Sequence, residues 1–199
     1  MHKLGAFIDF WNFQLNWNER VKNARFDWKG LTGAIMTEVK RLLTEFEGDA
    51  TITYQGMRIY SSVNPESESD RKLRSWLIKT LGQMPGNFVS VSERRTRPKP
   101  IFCSECKNST ELCPVCSKPF KRAPEKDVDS AIITDMFCLY IENVYDIAVL
   151  GSADADMIPM VHYLQNRGIK IINLAWDKIG NELKSVCWAS IVSTNLRRS

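Results

Sequence analysis

Short apolar runs alternate with longer stretches of helical period along this chain. Leu4 to Asp9 reads as a short buried strand, an apolar run that Asp9 interrupts. From Leu31 to Phe46 the apolar positions Leu31, Ile35, Val39, Leu42, Leu43 and Phe46 recur on one helical face. Thr51 to Tyr60 alternates as a strand, Pro65 punctuates the chain, Ser67 to Leu81 suits a helix and Asn87 to Ser92 a further strand. Val128 to Glu142 is a helix with Val128, Ile132, Met136 and Leu139 on one stripe, and Ile147 to Leu150 is a buried strand. Met157 to Arg167 forms a helix that Gly168 ends, Ile169 to Ala175 a strand, and Asn181 to Trp188 a last helix. Strands alternating with helices predict an α/β domain whose mostly parallel central sheet is covered on both faces.

Residues 93–125 break that rhythm. A loop of this length needs something to order it locally. Two C-x-x-C hooks supply a means: Cys103 with Cys106, and Cys113 with Cys116, six residues apart. Each hook can wrap two thiolates around one ion, so together they predict a structural four-cysteine Zn²⁺ site in a small ribbon or knuckle with no core of its own. Such a closed site has no open coordination position and carries no catalysis. Cys138 and Cys187 fall in apolar helical contexts and are read as core residues.

Composition changes the picture in one place. The chain has 199 residues, 44% hydrophobic and 25% charged, which suits one domain over 1–199 with the zinc element inserted at about 94–122. No run reaches the length of a membrane span or a signal h-region, so a soluble cytoplasmic protein is expected. The net charge is +4, but residues 94–122 alone carry eight basic side chains against Glu105 and Glu111. The basic character therefore belongs to the insertion. Arg94, Arg95, Arg97, Lys99, Lys118, Lys121 and Arg122, with Lys126 just beyond, are candidates to grip a polyanion.

The remaining chemistry is acidic. In a parallel sheet, ligands bind beyond the carboxyl ends of the strands. Asp9 ends the first strand, where a carboxylate is costly unless paired or metal-bound, and Asp154 and Asp156 follow the strand 147–150. Asp156 could also cap the helix starting at Met157, and one carboxylate can serve both purposes. Asp129 lies in the first turn of its helix, and Asp127 is read as that helix's cap. Asp135 is six residues on, about 240° around the helix, so it cannot share a face with Asp129. Carboxylates without a nearby histidine favour a hard cation such as Mg²⁺ or Mn²⁺, which suits phosphoryl chemistry; the two histidines, His2 and His162, are read as terminal and structural.

Three motifs then resemble the NYN domains, a branch of the PIN-like nuclease superfamily. These are Phe7-Ile8-Asp9-Phe10-Trp11-Asn12; Lys126-Asp127-Val128-Asp129 followed by Asp135, where the family usually has K-G-V-D; and Ser152-Ala153-Asp154-Ala155-Asp156, usually S-G-D-S-D, followed by Pro159. The resemblance covers most of the chain outside residues 94–122. It implies a PIN-like three-layer α/β/α sandwich and a metal-dependent ribonuclease. It makes Asp9, Asp129 and Asp154 the acidic centre, with Asp156 a ligand or supporting group and Asn12 orienting the first carboxylate or the substrate. Asp135 and Ser152 would stand in support. Ala153 and Asp127 occupy positions where glycine is usual, and Ala155 one where serine is usual.

Phe10, Trp11, Phe13, Trp17, Phe26 and Trp28 crowd the region after Asp9. Core packing or a homodimer contact would explain them; Trp11, between Asp9 and Asn12, is the candidate for stacking on an RNA base. The expected protein is thus an endoribonuclease acting on single-stranded or structured RNA. A non-catalytic RNA- or partner-binding module is one alternative. A DNA nuclease or another metal-dependent phosphoesterase is the other.

Overall fold

The computed structural model describes residues 1–21, 25–48, 50–122 and 127–197. In chain order the elements are β1 (His2–Asp9), α1 (Phe10–Arg20), α2 (Leu31–Glu47), β2 (Ile52–Val63), α3 (Glu68–Trp76) running into a π-helical turn (Leu77–Leu81), and β3 (Asn87–Glu93). Four two-residue strands follow: β4 (Arg97–Pro98), β5 (Ile101–Phe102), β6 (Ser109–Thr110) and β7 (Lys121–Arg122). The chain then runs through α4 (Val128–Ile141), β8 (Ile147–Gly151), a 3₁₀ turn (Ala155–Met157), α5 (Ile158–Gln165), β9 (Lys170–Ala175), α6 (Asn181–Val186) and β10 (Ala189–Val192).

One six-stranded sheet has the order β10-β9-β8-β1-β2-β3, and each of its pairings is parallel. The period of two along each strand sorts side chains between its faces. Leu4, Ala6 and Ile8 of β1 meet the helices α1 and α2, through residues such as Phe13, Trp17, Leu31, Ile35 and Leu43. Phe7 turns the other way, into a second core built with Val128, Ile132 and Met136 of α4, Val161 and Leu164 of α5, and Leu183 of α6. Each fully buried aliphatic or Phe side chain contributes about 1.5–3 kcal/mol. The result is the expected three-layer α/β/α sandwich. Where β1 and β2 slip register between Leu4 and Gly5, Gly56 takes φ +111, and a Cβ there would lie 2.6 Å from the Phe88 ring.

Several local expectations change. Residues 10–20 form a helix that the apolar pattern did not assign, although Phe10, Phe13 and Trp17 recur at helical spacing and are buried. The helix expected over 67–81 gives way to a π turn after Trp76. The last helix stops at Val186, and Ala189–Val192 instead adds an edge strand. Phe46 is 60% exposed at the far end of α2, resting edge-on against Trp188. Cys138 is exposed rather than core, because the α4 stripe through Val128, Ile132 and Met136 turns it outward; Cys187 is half-buried, and burial pushes its thiol up to about 12.

Candidate active site

Three separate chain segments deliver an aspartate to one cleft. Asp9 is the last residue of β1 and is 5% exposed; its Oδ1 accepts the Asn12 N–H at 3.0 Å, capping α1. Asp154 follows β8 and caps the 3₁₀ turn, its Oδ1 accepting the Asp156 N–H at 2.9 Å. Asp129 comes from the first turn of α4. All three line a cavity of about 360 Å³, together with Trp11, Asn12 and Glu19. In the sheet, β1 stands between β8 and β2, so chain order runs outward in both directions from it. The cleft therefore lies at the topological switch point, where a parallel sheet leaves a crevice beyond its strand ends. Four carboxylates and no basic or histidine side chain line it among the described residues. That donor chemistry fits a hard divalent cation and not a soft one.

The surrounding shell keeps this loop in place. Asn12 links two segments of the site. Its Oδ1 accepts the Ala153 N–H at 3.0 Å, so α1 is stapled to the segment carrying Asp154, while its backbone N–H serves Asp9. Ser152 is buried and its Oγ accepts the Asp154 N–H at 3.2 Å. Asn173, buried in β9, donates its amide to the Leu150 and Ser152 carbonyls at 3.1 and 2.9 Å. This residue escaped the sequence reading, though an asparagine inside the apolar run Ile171-Ile172-Asn173-Leu174 was a usable signal. Glu19 and Asn16 also line the cleft and were missed, because α1 itself was.

Other expected residues lie elsewhere. Asp156 is exposed and outside the cleft lining; Asp154 rather than Asp156 makes the capping bond. Asp127 stands at the N-cap position of α4 but makes no capping bond through its side chain, since its backbone is left-handed at φ +69. That conformation explains why glycine suits the position. Asp135 accepts the Tyr60 hydroxyl at 2.7 Å, away from the cleft as its helical phase demanded, and burial together with this bond holds the Tyr60 phenol far above its ordinary value. Ala153 is accommodated by Gly180, whose own φ is +64 and where a Cβ would come within 2.8 Å of the Ala153 Cβ. Gly180→Ala should therefore destabilise by about 1–3 kcal/mol, and Ala153→Gly in the same chain should restore part of the lost melting temperature.

Of the basic candidates, Arg94 is turned inward, 2.8 Å from Asp70 and 5.6 Å above the Trp11 ring. Arg95, Arg97, Lys99, Lys118 and Lys121 are exposed. Only the backbone of Arg122 is described, in register with Arg97 across the β4–β7 pair, and Lys126 lies outside the described residues. Trp11 is half-buried, its indole N–H donated to the Ser62 carbonyl at 2.6 Å. Phe10, Phe13, Trp17 and Trp28 are buried in the core.

The two cysteine hooks have the same local geometry. In each, the first cysteine's N–H reaches the carbonyl five residues on (Asn108, Lys118), and its carbonyl accepts the N–H four residues on (Lys107, Ser117). Those two fourth residues share a left-handed φ, 58° and 53°. The backbone N–H groups of Cys106 and Glu105, then the Cys106 thiol, draw the Cys103 thiol below its ordinary value; Cys116 and Val115 do the same for Cys113. Both turns thus point donors at a developing thiolate. Among the described residues no group of three or more His, Cys, Asp or Glu stands gathered closely enough to hold a metal ion, and no helix is long and apolar enough to cross a membrane.

The NYN domain profile matches residues 3–194. A crystal structure of a protein of unknown function from Vibrio parahaemolyticus has a similar fold, with a TM-score of 0.55 at 13% identity, over 96% of this chain and 91% of that one. No curated protein matches the sequence.

Proposed function

The chain belongs to the NYN domain family, a branch with the PIN-like nuclease fold, and from that premise we propose that it is a metal-dependent endoribonuclease. The observation that carries this reading is the meeting of Asp9, Asp129 and Asp154 in one cleft at the switch point of the sheet. Asp9, Asp129 and Asp154 would hold Mg²⁺ or Mn²⁺, with Glu19 and Asn12 beside them. When bound, the ion supplies an activated water, neutralisation of the phosphate and stabilisation of the departing oxygen. The chain's own part is orientation. The Asn12 and Asp156 N–H groups fix one oxygen of Asp9 and Asp154, and Ser152 and Asn173 hold the loop between them.

Cys103, Cys106, Cys113 and Cys116 would hold a structural Zn²⁺, which matches the paired hooks and their N–H donors. The insertion would then present its lysines and arginines to the RNA backbone. Replacing Lys99, Lys118 and Lys121 together by alanine should lower the slope of log Kd against log salt for single-stranded RNA by about 2, at about 0.7 per phosphate contact. Filter binding across a salt series measures it, and an unchanged slope would remove these lysines from the interface.

The function itself is tested with end-labelled single-stranded RNA and the matching DNA, in Mg²⁺, Mn²⁺ or EDTA. Metal-dependent cutting of RNA that EDTA stops is the expected result. Binding without cutting under either metal would make the protein a binding module. Equal cutting of DNA would make it a general phosphodiesterase, since RNA selectivity requires reading the 2′-OH.

A further inference from the structure

A second, larger cavity of about 560 Å³ adjoins the acid cleft, and Trp11 lines both. Helix α1 is the wall between them. Asn12, Asn16 and Glu19 face the acids, while Trp11, Gln14 and Asn18, one helical stripe away, face the second cavity. Aromatic rings supply five of the eleven described residues of that second lining: Phe10, Trp11, Phe26, Trp28 and Trp76. Their indole N–H groups are already committed where the structure records them, Trp11 to the Ser62 carbonyl at 2.6 Å and Trp28 to the Gln14 Oε1 at 2.8 Å. Phe10 and Trp28 stack at 5.0 Å with an interplanar angle of 26°. The walls are thus held in orientation and offer apolar ring surface. Trp76, half-buried, closes the α3 side just before the π turn, a feature common at functional sites.

The charge in this slot says what it takes. The one acid among its described residues, Asp70, is neutralised by Arg94 at 2.8 Å and accepts the Asn64 N–H at 2.7 Å. Among the described residues the interior therefore offers no uncompensated cation to a phosphate. Polar groups sit at its edges instead. Asn18 is exposed, and its Oδ1 accepts from Gln14, which leaves its amide donors to face outward. Arg25 is exposed at the rim, suited to a phosphate passing outside. A flat, uncharged ring with hydrogen-bonding edges and an attached phosphate answers this description, and the volume lies within the roughly 300–1,000 Å³ of ligand pockets. We propose that the aromatic slot receives one unstacked nucleobase of the RNA strand whose phosphate enters the acid cleft, with Trp76 as the stacking surface and Asn18 reading the base edge. This rests on the ribonuclease reading above.

The test is a set of single-stranded RNAs, each with one abasic ribose at a different position around the cut. The set is cleaved by the wild type, Trp76→Ala and Asn18→Ala. The slot predicts one position, at fixed distance from the cut, where losing the base lowers kcat/KM in the wild type by about 5- to 100-fold, the range of a base–aromatic stack. In Trp76→Ala intact RNA should already be cut more slowly by a similar factor, and the abasic penalty at that position should disappear. Asn18→Ala, an exposed change that leaves the fold alone, should keep the penalty but flatten the preference among the four bases at that position. Intact RNA cleaved with no position-specific penalty, or with an undiminished penalty in Trp76→Ala, overturns the slot and leaves the ribonuclease reading standing. Failure of the wild type to cut any RNA with Mg²⁺ or Mn²⁺ removes both.

Discussion

Asp154→Asn is expected to lower RNA cleavage at least about 10³-fold while leaving the fold intact. A divalent ion contributes several kcal/mol to the transition state of phosphoryl transfer, and each 1.4 kcal/mol is about a factor of ten in rate. Removing one of the carboxylates that would hold the ion forfeits most of that. The folded state should not notice. The structural task of Asp154 is to accept the Asp156 N–H, and asparagine caps about as well as aspartate. Asp9→Asn has the same logic, because Asp9 caps α1 through the Asn12 N–H. The measurement pairs a cleavage time course with a thermal melt of each variant. Lost cutting with a melting temperature within a few degrees of wild type assigns the acids to chemistry. Full activity in both variants would leave them as helix caps and nothing more.

Removing zinc is expected to dissolve the insertion and spare the sheet. Of residues 97–121, only Cys113 and Phe120 are even half-buried, so this segment has almost no apolar burial to hold it. Its four strands are two residues each, and its pairs β4–β7 and β5–β6 stand outside the central sheet. A structural zinc site is worth roughly 10–16 kcal/mol in apparent binding energy, far more than such strands supply. The purified protein should carry one zinc per chain by elemental analysis, and Cys103→Ser or Cys113→Ser should each remove it. Amide exchange should then become fast in residues 97–122 while β1 and β8 keep their protection. A protein holding no zinc, with the insertion equally protected in all variants, would end the zinc assignment.

The helices and strands of the two cores were readable from apolar period because burial imposes that period directly. The stripe Val128–Ile132–Met136 and the runs Leu4–Ile8 and Ile147–Leu150 all lie where the pattern put them. Helix α1 was harder. Its aromatics and asparagines are weak helix formers, and what holds it is packing of Phe10, Phe13 and Trp17 on the sheet with Asp9 at its cap. Missing α1 also hid Glu19 and Asn16, and obscured that the Asn12 side chain accepts from the Asp154 loop while its backbone N–H serves Asp9. Arg94 illustrates the same limit from another side. Counting charge made it a polyanion contact, but Asp70, twenty-four positions away, claims it.

The order of most elements, the parallel sheet and the identity of the strand-end acids follow from local chemistry: hydrophobic period, caps, and carboxylates too costly to bury unpaired. Which of those acids share a space does not, because Asp9 lies more than a hundred positions of chain from Asp129 and Asp154 and meets them only when β1 lands beside β8. The same strand order makes α1 a partition with acids on one side and aromatic rings on the other. Pairing across long sequence separation is what neither period nor propensity encodes, and it is what builds both cavities.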